Sequence, residues 1–329
     1  MKLTGKTILI TGGAGFIGSH LVGALAKTNH IVVYDNFASA VASPAQLKTL
    51  GSVEVIRGDI LDKKSLIRAM KNVDIVFHCA VACIRLSLSD ELHVHNVNAT
   101  GTLTTLLAAR AARIKRFIYI SSSEVYGTAM HDLIDEEHPL VPTTVYGMSK
   151  YVGELYTKNM FEAFGLPSII VRPFNTYGPH SHFDGVYGEV IPRFVVRALN
   201  GKQPMIFGSG RQTRDFTYIT DTVDGIIKAS QSDTLLGNCI NIAHGHEVSV
   251  YKIAQTVCEL AGLPCKPIMK PARPNDVARH AAHIGKAKHM LSYKPKISIR
   301  EGLTRYIEWV KQTYPDQKKL MKLVPNTNW

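Results

Sequence analysis

The chain has 329 residues, of which 45% are hydrophobic and 19% charged, and its formal net charge is +12. This composition is typical of a folded globular protein and excludes a disordered or collagen-like chain, and no apolar run reaches the roughly 18 residues of a membrane helix. Residues 266–329 carry 14 Lys and Arg against four Asp and Glu. We interpret this excess as solvated surface charge and expect neither a nucleic-acid nor a membrane partner.

Five cysteines form no Cys-x-x-Cys pair and no Cys/His group with the spacing of zinc ligands. The sequence therefore predicts neither a disulfide framework nor a metal site. Thiols without such a framework are typical of a reducing compartment, and we expect a cytoplasmic protein. The cysteines are Cys79, Cys83, Cys239, Cys258 and Cys265.

Short β-branched segments alternate with helical patterns through the first half of the chain. This alternation predicts an α/β protein with a doubly wound parallel sheet of the Rossmann type, covered by helices on both faces. The predicted helices are residues 19–26, residues 98–113, and a segment from Tyr146 to just before Gly165, which is a stop signal. The predicted strands are residues 7–11, 31–34, 53–57, 74–78, 116–121 and 168–172.

The composition changes after residue 174, where His, Gly, Pro and aromatic residues become frequent. Long loops of this kind are commonly functional. We predict a cofactor-binding Rossmann domain over residues 1–174 and a smaller substrate-binding domain over residues 175–329. Strand patterns at 216–219 and 239–242 lie within a region, 216–245, parts of which could rejoin the first domain.

A glycine-rich turn follows the first predicted strand directly. Gly12, Gly15 and Gly18 have the spacing G-x-x-G-x-x-G, and a helical pattern follows at once. Glycine is required there because the backbone must bend sharply, approach a pyrophosphate closely, and let the helix pack against the strand. The sequence predicts that the amides at this helix N-terminus face the phosphates of a dinucleotide. The predicted site comprises Gly12, Gly15, Phe16, Ile17 and Gly18.

Further cofactor residues are predicted where the next strands end. Asp35 lies 20 residues after the middle glycine of the motif, at the position where a carboxylate binds the adenosine ribose and repels a 2′-phosphate. This favours NAD over NADP and places the adjacent Asn36 in the site. Asp59 and Ile60 could meet the adenine, although capping of the next helix is an alternative for Asp59. Ala80 is expected in the wall beside the cofactor.

A catalytic group is predicted at the end of the fifth strand. Tyr146 and Lys150 are four residues apart in a helical pattern, so they project from one face. An ammonium beside a phenol stabilises the phenolate, which predicts a lowered pKa and a base at Tyr146. Ser122 follows a strand, and strand ends of a doubly wound sheet are where ligands bind.

These features together resemble the extended short-chain dehydrogenase/reductases that act on nucleotide sugars, the UDP-glucose 4-epimerases among them. The resemblance covers most of the chain, and its motifs occur in the family's order. The matching segments are T-G-G-A-G-F-I-G at 11–18, S-S-S-E-V-Y-G at 121–127, Y-G-M-S-K at 146–150, R-P-F-N-T-Y-G-P at 172–179 and Q-T-R-D-F-T-Y-I at 212–219.

The resemblance implies a role for each matching residue. Tyr146 would remove the proton from the sugar 4-hydroxyl while a hydride passes to NAD. Lys150 would hold the nicotinamide ribose, and Ser122 would hydrogen-bond the reacting oxygen. Asn175 and Arg214 match positions that contact the diphosphate, a role that suits an arginine fork.

Arg273 is a further candidate for the diphosphate or ribose, with a surface loop as its alternative setting. The substrate expected from these positions is a nucleotide-diphosphate sugar.

The resemblance leaves several reactions open, all of which begin with a transient 4-keto sugar. A 4,6-dehydratase would carry Asp-Glu where this chain has Ser123 and Glu124, so the acid that expels water is missing from that position. Ser-Glu also resembles the UDP-glucuronate decarboxylases, but no basic residue for the sugar carboxylate can be assigned from sequence. A 4-epimerase needs little beyond Tyr146, Ser122 and a roomy pocket, which residues 180–188 are expected to line.

The sequence thus predicts an NAD-dependent 4-epimerase acting on a UDP-sugar, with Ser123 and Glu124 as further catalytic candidates. UDP-glucuronate decarboxylase and nucleotide-sugar 4,6-dehydratase are the alternatives, and a non-catalytic NAD-binding sensor is a second alternative. The resemblance also implies a homodimer built on helices 98–113 and 146–164, which are apolar over more than a narrow stripe. Cover of the sheet alone is the other interpretation of those helices.

Overall fold

The computed structural model describes residues 1–325. Each strand of its first half is within one residue of the predicted position. The strands are β1 (Thr7–Thr11), β2 (His30–Asp35), β3 (Val53–Arg57), β4 (Ile75–His78), β5 (Arg116–Ile120), β6 (Ser168–Pro173), β7 (Asn175–Tyr177), β8 (Met205–Phe207), β9 (Thr213–Tyr218), β10 (Cys239–Ile242), β11 (Glu247–Ser249) and β12 (Ile268–Lys270).

Twelve α-helices are described within residues 1–325. They are α1 (Phe16–Leu25), α2 (Pro44–Lys48), α3 (Lys63–Ala69), α4 (Glu91–His95), α5 (Gly101–Ala111), α6 (Val145–Phe164), α7 (Val190–Leu199), α8 (Ile219–Gln231), α9 (Val250–Leu260), α10 (Gly285–Leu291), α11 (Ile299–Thr313) and α12 (Gln317–Leu323). Among these helices of residues 1–325, none combines the length and apolar character needed to cross a membrane.

Seven parallel strands form the central sheet in the order β10-β6-β5-β4-β1-β2-β3. Both faces are covered, because neighbouring residues of β1 enter different cores. Ile8 and Ile10 pack with Leu21 of α1, whereas Leu9 packs with Leu106 of α5 on the other face. The predicted Rossmann-type α/β fold is confirmed.

The predicted helix at 98–113 begins earlier than expected. α4 continues through a π-helical turn, Asn96–Thr100, directly into α5. Asn98 in that turn bonds both backbone groups of Ala82, since its Oδ1 accepts from the amide N–H (2.8 Å) and its Nδ2 donates to the carbonyl (3.1 Å). A helical turn that is widened in this way lets a buried polar side chain hold the loop after β4.

The longest helix, α6, has clear sequence signals at both ends. The hydroxyl of Thr144 accepts a hydrogen bond from the Gly147 N–H (3.0 Å), which caps its first turn. Gly165 ends the helix in the left-handed conformation, at φ +67°, which a residue without a Cβ adopts easily. These ends fix the position of the helix face that carries Tyr146 and Lys150.

The second half of the chain contributes to two layers. β9 pairs with β7 and β11 in a separate three-stranded sheet, and β12 pairs with β8. β10 returns to the central sheet beside β6. The region 216–245 thus contributes to the three-stranded sheet through β9 and to the central sheet through β10. The proposed domain boundary at residue 174 stays a prediction.

Candidate active site

One cavity of about 440 Å³ opens where the strands β1, β2, β4, β5 and β6 end. This volume lies in the range of small-molecule sites, and parallel strand ends are where ligands bind in such folds. All the predicted site residues line it, so residues far apart in sequence share one chamber. They are Gly12, Gly15, Phe16, Ile17, Gly18, Asp35, Asn36, Asp59, Ile60, Ala80, Ser122, Ser123, Glu124, Tyr146, Lys150, Asn175, Arg214 and Arg273.

The glycine turn is shaped for the close approach of a ligand. Gly12 has φ +66°, and a Cβ added to it would lie 2.6 Å from the backbone nitrogen of Ala80. A Cβ at Gly18 would lie 2.1 Å from the Gly12 oxygen, so both positions need glycine for packing. Gly15 differs, because the Gly12 oxygen at 3.3 Å is the one atom near its added Cβ among the neighbours described. Space that a side chain would fill is therefore left for a phosphate, which fits NAD.

Asp35 is fixed in the cavity wall by backbone donors. Its Oδ2 accepts from the Ala14 N–H (2.9 Å) and its Oδ1 from the Phe37 N–H (2.7 Å). Burial raises the pKa of this carboxyl, and the two hydrogen bonds oppose that rise. Asn36 turns the chain next to it, since its Oδ1 accepts from the Ala38 N–H (3.0 Å). The carboxylate is thus held rigidly at the place expected for the adenosine ribose.

Asp59 does not cap the helix that follows it, so that alternative is wrong. Its Oδ1 accepts from the Leu61 N–H (2.9 Å), whereas Asp62 caps α3 by accepting from the Ser65 N–H (3.0 Å). The Tyr34 hydroxyl donates to the Asp59 carbonyl (3.0 Å). The local turn leaves Asp59 in the cavity wall, as the cofactor interpretation requires.

Tyr146, Ser122 and Lys150 all line the cavity. The Ser122 side chain lies close enough to the Tyr146 phenol to act on its pKa. Lys150 is buried, its Nζ donates to the Ile120 carbonyl (2.6 Å), and it lies 4.4 Å from the centre of the Tyr119 ring. Burial lowers the pKa of Lys150 to about 7.

The pKa of Tyr146 differs from the expectation of a lowered value. Its removal from water raises the pKa of the phenol, and the nearby Ser122 side chain and the charge of Arg85 only partly oppose this. Lys150 does not offset the effect because its ammonium is directed at Ile120 and Tyr119. Burial is a property of the assembled fold, so the four-residue spacing could not reveal it.

A buried ion pair missed by the sequence analysis supports this catalytic group. Arg172 donates to both oxygens of Glu154, from Nε (2.9 Å) and Nη2 (2.6 Å), and Ser121 Oγ donates to Oε1 (2.5 Å). Both charged side chains are about 5% exposed or less. Glu154 follows Lys150 by four residues and Tyr146 by eight, a helical spacing that could have identified it.

The other end of the cavity contains the residues predicted for the diphosphate. Arg214 Nη2 donates to Asp276 Oδ1 (2.7 Å), and the Arg273 guanidinium lies 4.7 Å from the centre of the Phe207 ring. Burial raises the pKa of Glu124, which the charge of Arg214 opposes. Asp276 was missed because nothing in its loop sequence indicates its pairing with Arg214.

Asn175 Oδ1 is a buried acceptor that meets no donor within residues 1–325. A buried polar atom in that state is typical of a ligand site, which agrees with the role expected for Asn175.

Arg85 and Glu189 are two further charged residues of the cavity that the sequence did not reveal. Arg85 donates from Nε to the Val186 carbonyl (2.6 Å) and from Nη2 to the Tyr187 carbonyl. It therefore ties the loop before α7 to the segment that follows β4. Burial raises the pKa of Glu189 to about 7, and the charge of Arg85 opposes this rise.

The expected sugar-pocket loop at 180–188 contributes only in part. His182 and Tyr187 line the cavity. His180 lies against His20 and Trp309, with ring centres 5.6 and 5.2 Å away.

Within residues 1–325, no group of three His, Cys, Asp or Glu side chains is arranged to hold a metal ion.

Comparisons with known proteins identify the family of the chain. The family model of the NAD dependent epimerase/dehydratase family matches residues 8–243. A UDP-N-acetyl-alpha-D-glucosaminuronate decarboxylase from Bacillus cytotoxicus is 33% identical over 94% of this chain and 99% of its own length. A UDP-glucose 4-epimerase from Mycolicibacterium smegmatis is 30% identical over 92% of this chain and 97% of its own.

A solved structure is similar over almost the whole chain. An epimerase from Methanothermobacter thermautotrophicus has a TM-score of 0.91 and 33% identity, and the match covers 96% of this chain and 95% of that one. The expected resemblance and its cofactor are thereby confirmed. The chain belongs to the NAD-dependent epimerase/dehydratase family, whose members are enzymes that act on nucleotide sugars.

Proposed function

We propose that this enzyme is a nucleotide-sugar 4-epimerase and that its substrate is a UDP-sugar. The observation that carries the proposal is the presence of the Tyr146 phenol, the Ser122 side chain and the buried Lys150 together in the lining of one cavity. Two similar enzymes named above act on UDP-sugars according to their names. Oxidation and reduction at one sugar carbon require a group that takes up and returns the hydroxyl proton, and Tyr146 and Ser122 bring two hydroxyl groups to this task.

The residues of the chain divide the work of such a reaction. Tyr146 accepts the proton of the 4-hydroxyl and returns it from either face, while Ser122 orients the oxygen that reacts. Bound NAD supplies the hydride acceptor and donor. Asn175 and Arg214 hold the diphosphate, so the nucleotide sugar stays bound while its sugar ring rotates in the pocket. The enclosing walls keep water away from the reacting carbon.

Position 123 argues against loss of water as the main reaction. Ser123 is buried and brings a hydroxyl rather than an acid to the group beside Tyr146. Glu124 keeps a 4,6-dehydratase as the second candidate, because this chain retains the Glu of the Asp-Glu pair expected in such an enzyme. The charges of Arg214 and Asp276 act on Glu124, and Glu124 in turn acts on Tyr146, so it is coupled to the diphosphate residues and to the catalytic group alike.

Product analysis tests the proposal directly. The enzyme is incubated with UDP-glucose, UDP-N-acetylglucosamine, UDP-glucuronate and dTDP-glucose, and products are identified by mass and proton NMR. An isomer of unchanged mass is expected, whereas loss of water or of carbon dioxide would contradict it. The Tyr146→Phe variant is expected to lose about a hundredfold or more of kcat while still binding NAD, and unchanged turnover would contradict the role of Tyr146.

We also propose a homodimer. Met148, Leu155 and Phe164 of α6 and Leu92 of α4 are each about half exposed or more, and apolar side chains left on neighbouring helices are suited to a second copy. Sedimentation would show a dimer. The expected cytoplasmic location stays a prediction that rests on the thiols, which are all unpaired in residues 1–325.

A further inference from the structure

We propose that the buried ion pair of Glu154 and Arg172 positions a segment of the chain for catalysis. The serine segment, residues 121–126, carries Ser122 and leads from the end of β5 into the cavity wall. The inference rests on the proposed reaction at a sugar carbon and deepens it by naming residues that act through Ser122 without contacting the substrate. Such residues matter because a reacting group that is displaced by about 1 Å can lose about a hundredfold in rate.

The first residue of the serine segment is bonded to α6 and to β6. Ser121 Oγ donates to Glu154 Oε1 (2.5 Å), and the Ser121 N–H donates to the carbonyl of Val171 (2.7 Å). Ser121 and Glu154 are both buried. Breaking a buried hydrogen bond leaves a polar atom away from water, which makes such bonds strong constraints. The side chain and the main chain of Ser121 therefore both fix this end of the segment.

The last residue of the serine segment is bonded to the other member of the pair. Arg172 Nη1 donates to the Tyr126 hydroxyl (2.7 Å), and the guanidinium carbon lies 4.9 Å from the centre of the Tyr126 ring. The same hydroxyl donates to Asn241 Oδ1 on β10 (2.7 Å). Tyr126 is fully buried, and its hydroxyl is held between one donor and one acceptor of the described residues, which fixes its orientation.

The geometry of the pair makes it a rigid link between the two ends. Arg172 bonds Glu154 through Nε (2.9 Å) and Nη2 (2.6 Å) and keeps Nη1 for Tyr126. A guanidinium is planar, so the directions of these bonds are fixed relative to one another. Ser121 and Tyr126 are thus both held by one ion pair.

Glu154 also sets the segment against the catalytic face of α6. It lies four residues after Lys150 and eight after Tyr146 on the same helix, so the three side chains project from one side. A bond to Glu154 is therefore a bond to the element that carries Tyr146. The pair fixes the distance between the serine segment and that helix face.

The ends of the segment control the part of it that lines the cavity. The Tyr126 N–H donates to the Ser123 carbonyl (3.1 Å). The Glu124 N–H donates to Ser122 Oγ (3.2 Å), so the residues between the ends form a compact turn. Residues 122–124 line the cavity, whereas Tyr126 and the two charged residues of the pair are not among the described residues that do so. The pair therefore acts on the reaction through the segment that it holds.

Tyr126→Phe tests this link from outside the cavity. The change removes one hydroxyl and leaves the ion pair intact, and the kcat of the product-forming reaction is expected to fall about tenfold or more. KM for the nucleotide sugar and Kd for NAD are expected to stay within about twofold, because the lining residues are unchanged. Tyr293→Phe is the matched control, since the buried Tyr293 hydroxyl meets no partner within residues 1–325, and its kcat should equal that of the wild type.

Ser121→Ala tests the other end of the segment. It removes the donor to Glu154 Oε1 and leaves the ion pair in place, so the same loss of kcat is expected. Ser230→Ala is the control, because the buried Ser230 hydroxyl donates within α8 to the Ile227 carbonyl (2.7 Å). Ser121→Ala also decides the question if Tyr126→Phe does not fold.

Hydrogen exchange of the NAD-loaded enzyme measures the positioning without a substrate. In Tyr126→Phe, the amides of residues 121–127 are expected to exchange about fivefold or more faster than in the wild type, whereas those of α9 stay unchanged. Unchanged exchange in the serine segment would overturn the inference, and so would faster exchange with an unchanged kcat.

The proposed function and the positioning role can fail separately. The kcat is measured on whichever product the enzyme forms, because loss of water or of carbon dioxide would contradict the 4-epimerase while the oxidation common to these reactions still depends on Ser122. An enzyme that forms no product from any nucleotide sugar tested would contradict the proposed function. The exchange of residues 121–127 would still decide whether the pair holds the serine segment.

Discussion

The two ends of the active-site cavity are built in different ways. The cofactor end consists of a glycine turn and the carboxylate of Asp35, held by the N–H groups of Ala14 and Phe37. The sugar end joins distant segments, with Arg214 bonded to Asp276 and Arg85 bonded to the loop at residues 186 and 187. The first end depends on close packing of backbone, as of Gly12 against Ala80, whereas the second depends on bonds made by side chains of distant segments, so changes should affect them separately.

The largest effect on stability is expected at the buried ion pair of Glu154 and Arg172. Glu154→Gln should lower the free energy of unfolding by about 3 kcal/mol or more, because the charge of Arg172 would be left buried without its partner. Denaturant unfolding measures the change. Glu162→Gln on the same helix is the control, since its pair with Lys158 is exposed and should contribute about 0.5 kcal/mol or less.

The next effect should be confined to the cofactor end. Gly12→Ala adds a Cβ that would lie 2.6 Å from Ala80 and also strains a left-handed backbone, so stability should fall by about 2 kcal/mol or more and NAD affinity with it. Gly262 has a similar φ of +69° with open space around it. Gly262→Ala should therefore lower stability by about 1 kcal/mol and leave NAD affinity intact. If the two variants lost equal stability and equal NAD affinity, the packing of Gly12 against Ala80 could not be the cause.

A smaller effect should be confined to the sugar end. Arg85→Met removes two hydrogen bonds to the Val186 and Tyr187 carbonyls, so KM for the nucleotide sugar should rise about tenfold. The Kd for NAD should stay within about twofold, and a larger change would show that the two ends are coupled. Arg305→Met, at an exposed ion pair on α11, is the matched control for loss of an arginine.

The smallest effect concerns pH. The folded pKa of Lys150 is about 7, below its ordinary value of 10.5, so the unfolded chain binds the proton more tightly. Between those two values stability should rise with pH, by up to about 1.4 kcal/mol per pH unit from this group. Unfolding of the NAD-free enzyme at several pH values measures the slope. Lys150→Met should reduce the slope of stability against pH. An unchanged slope would contradict a buried Lys150 with a lowered pKa.

The same contrast explains what the sequence could reveal. The strands, the glycine turn and the Tyr146/Lys150 spacing are local patterns, and they located the sheet and one wall of the cavity. Arg85 and Glu189 lie in segments with no recognisable motif. They become candidate site residues only because the fold brings those segments together at the cavity. The pKa of Tyr146 was predicted in the wrong direction because burial depends on the whole fold. The capping alternative for Asp59 was wrong because Asp62 caps α3, and the two residues are equally suited to a cap by type.

The return of β10 to the central sheet has a consequence for how the chain is made. β6 carries Arg172 of the buried pair, and it gains its outer neighbour only when residues 239–242 have been synthesised. Until then the nascent chain presents the unpaired backbone edge of β6, a template for adding strands from other molecules. Residues 174–238 lie between these two strands in the chain, so a single cut after residue 174 would separate β10 from the sheet that it joins.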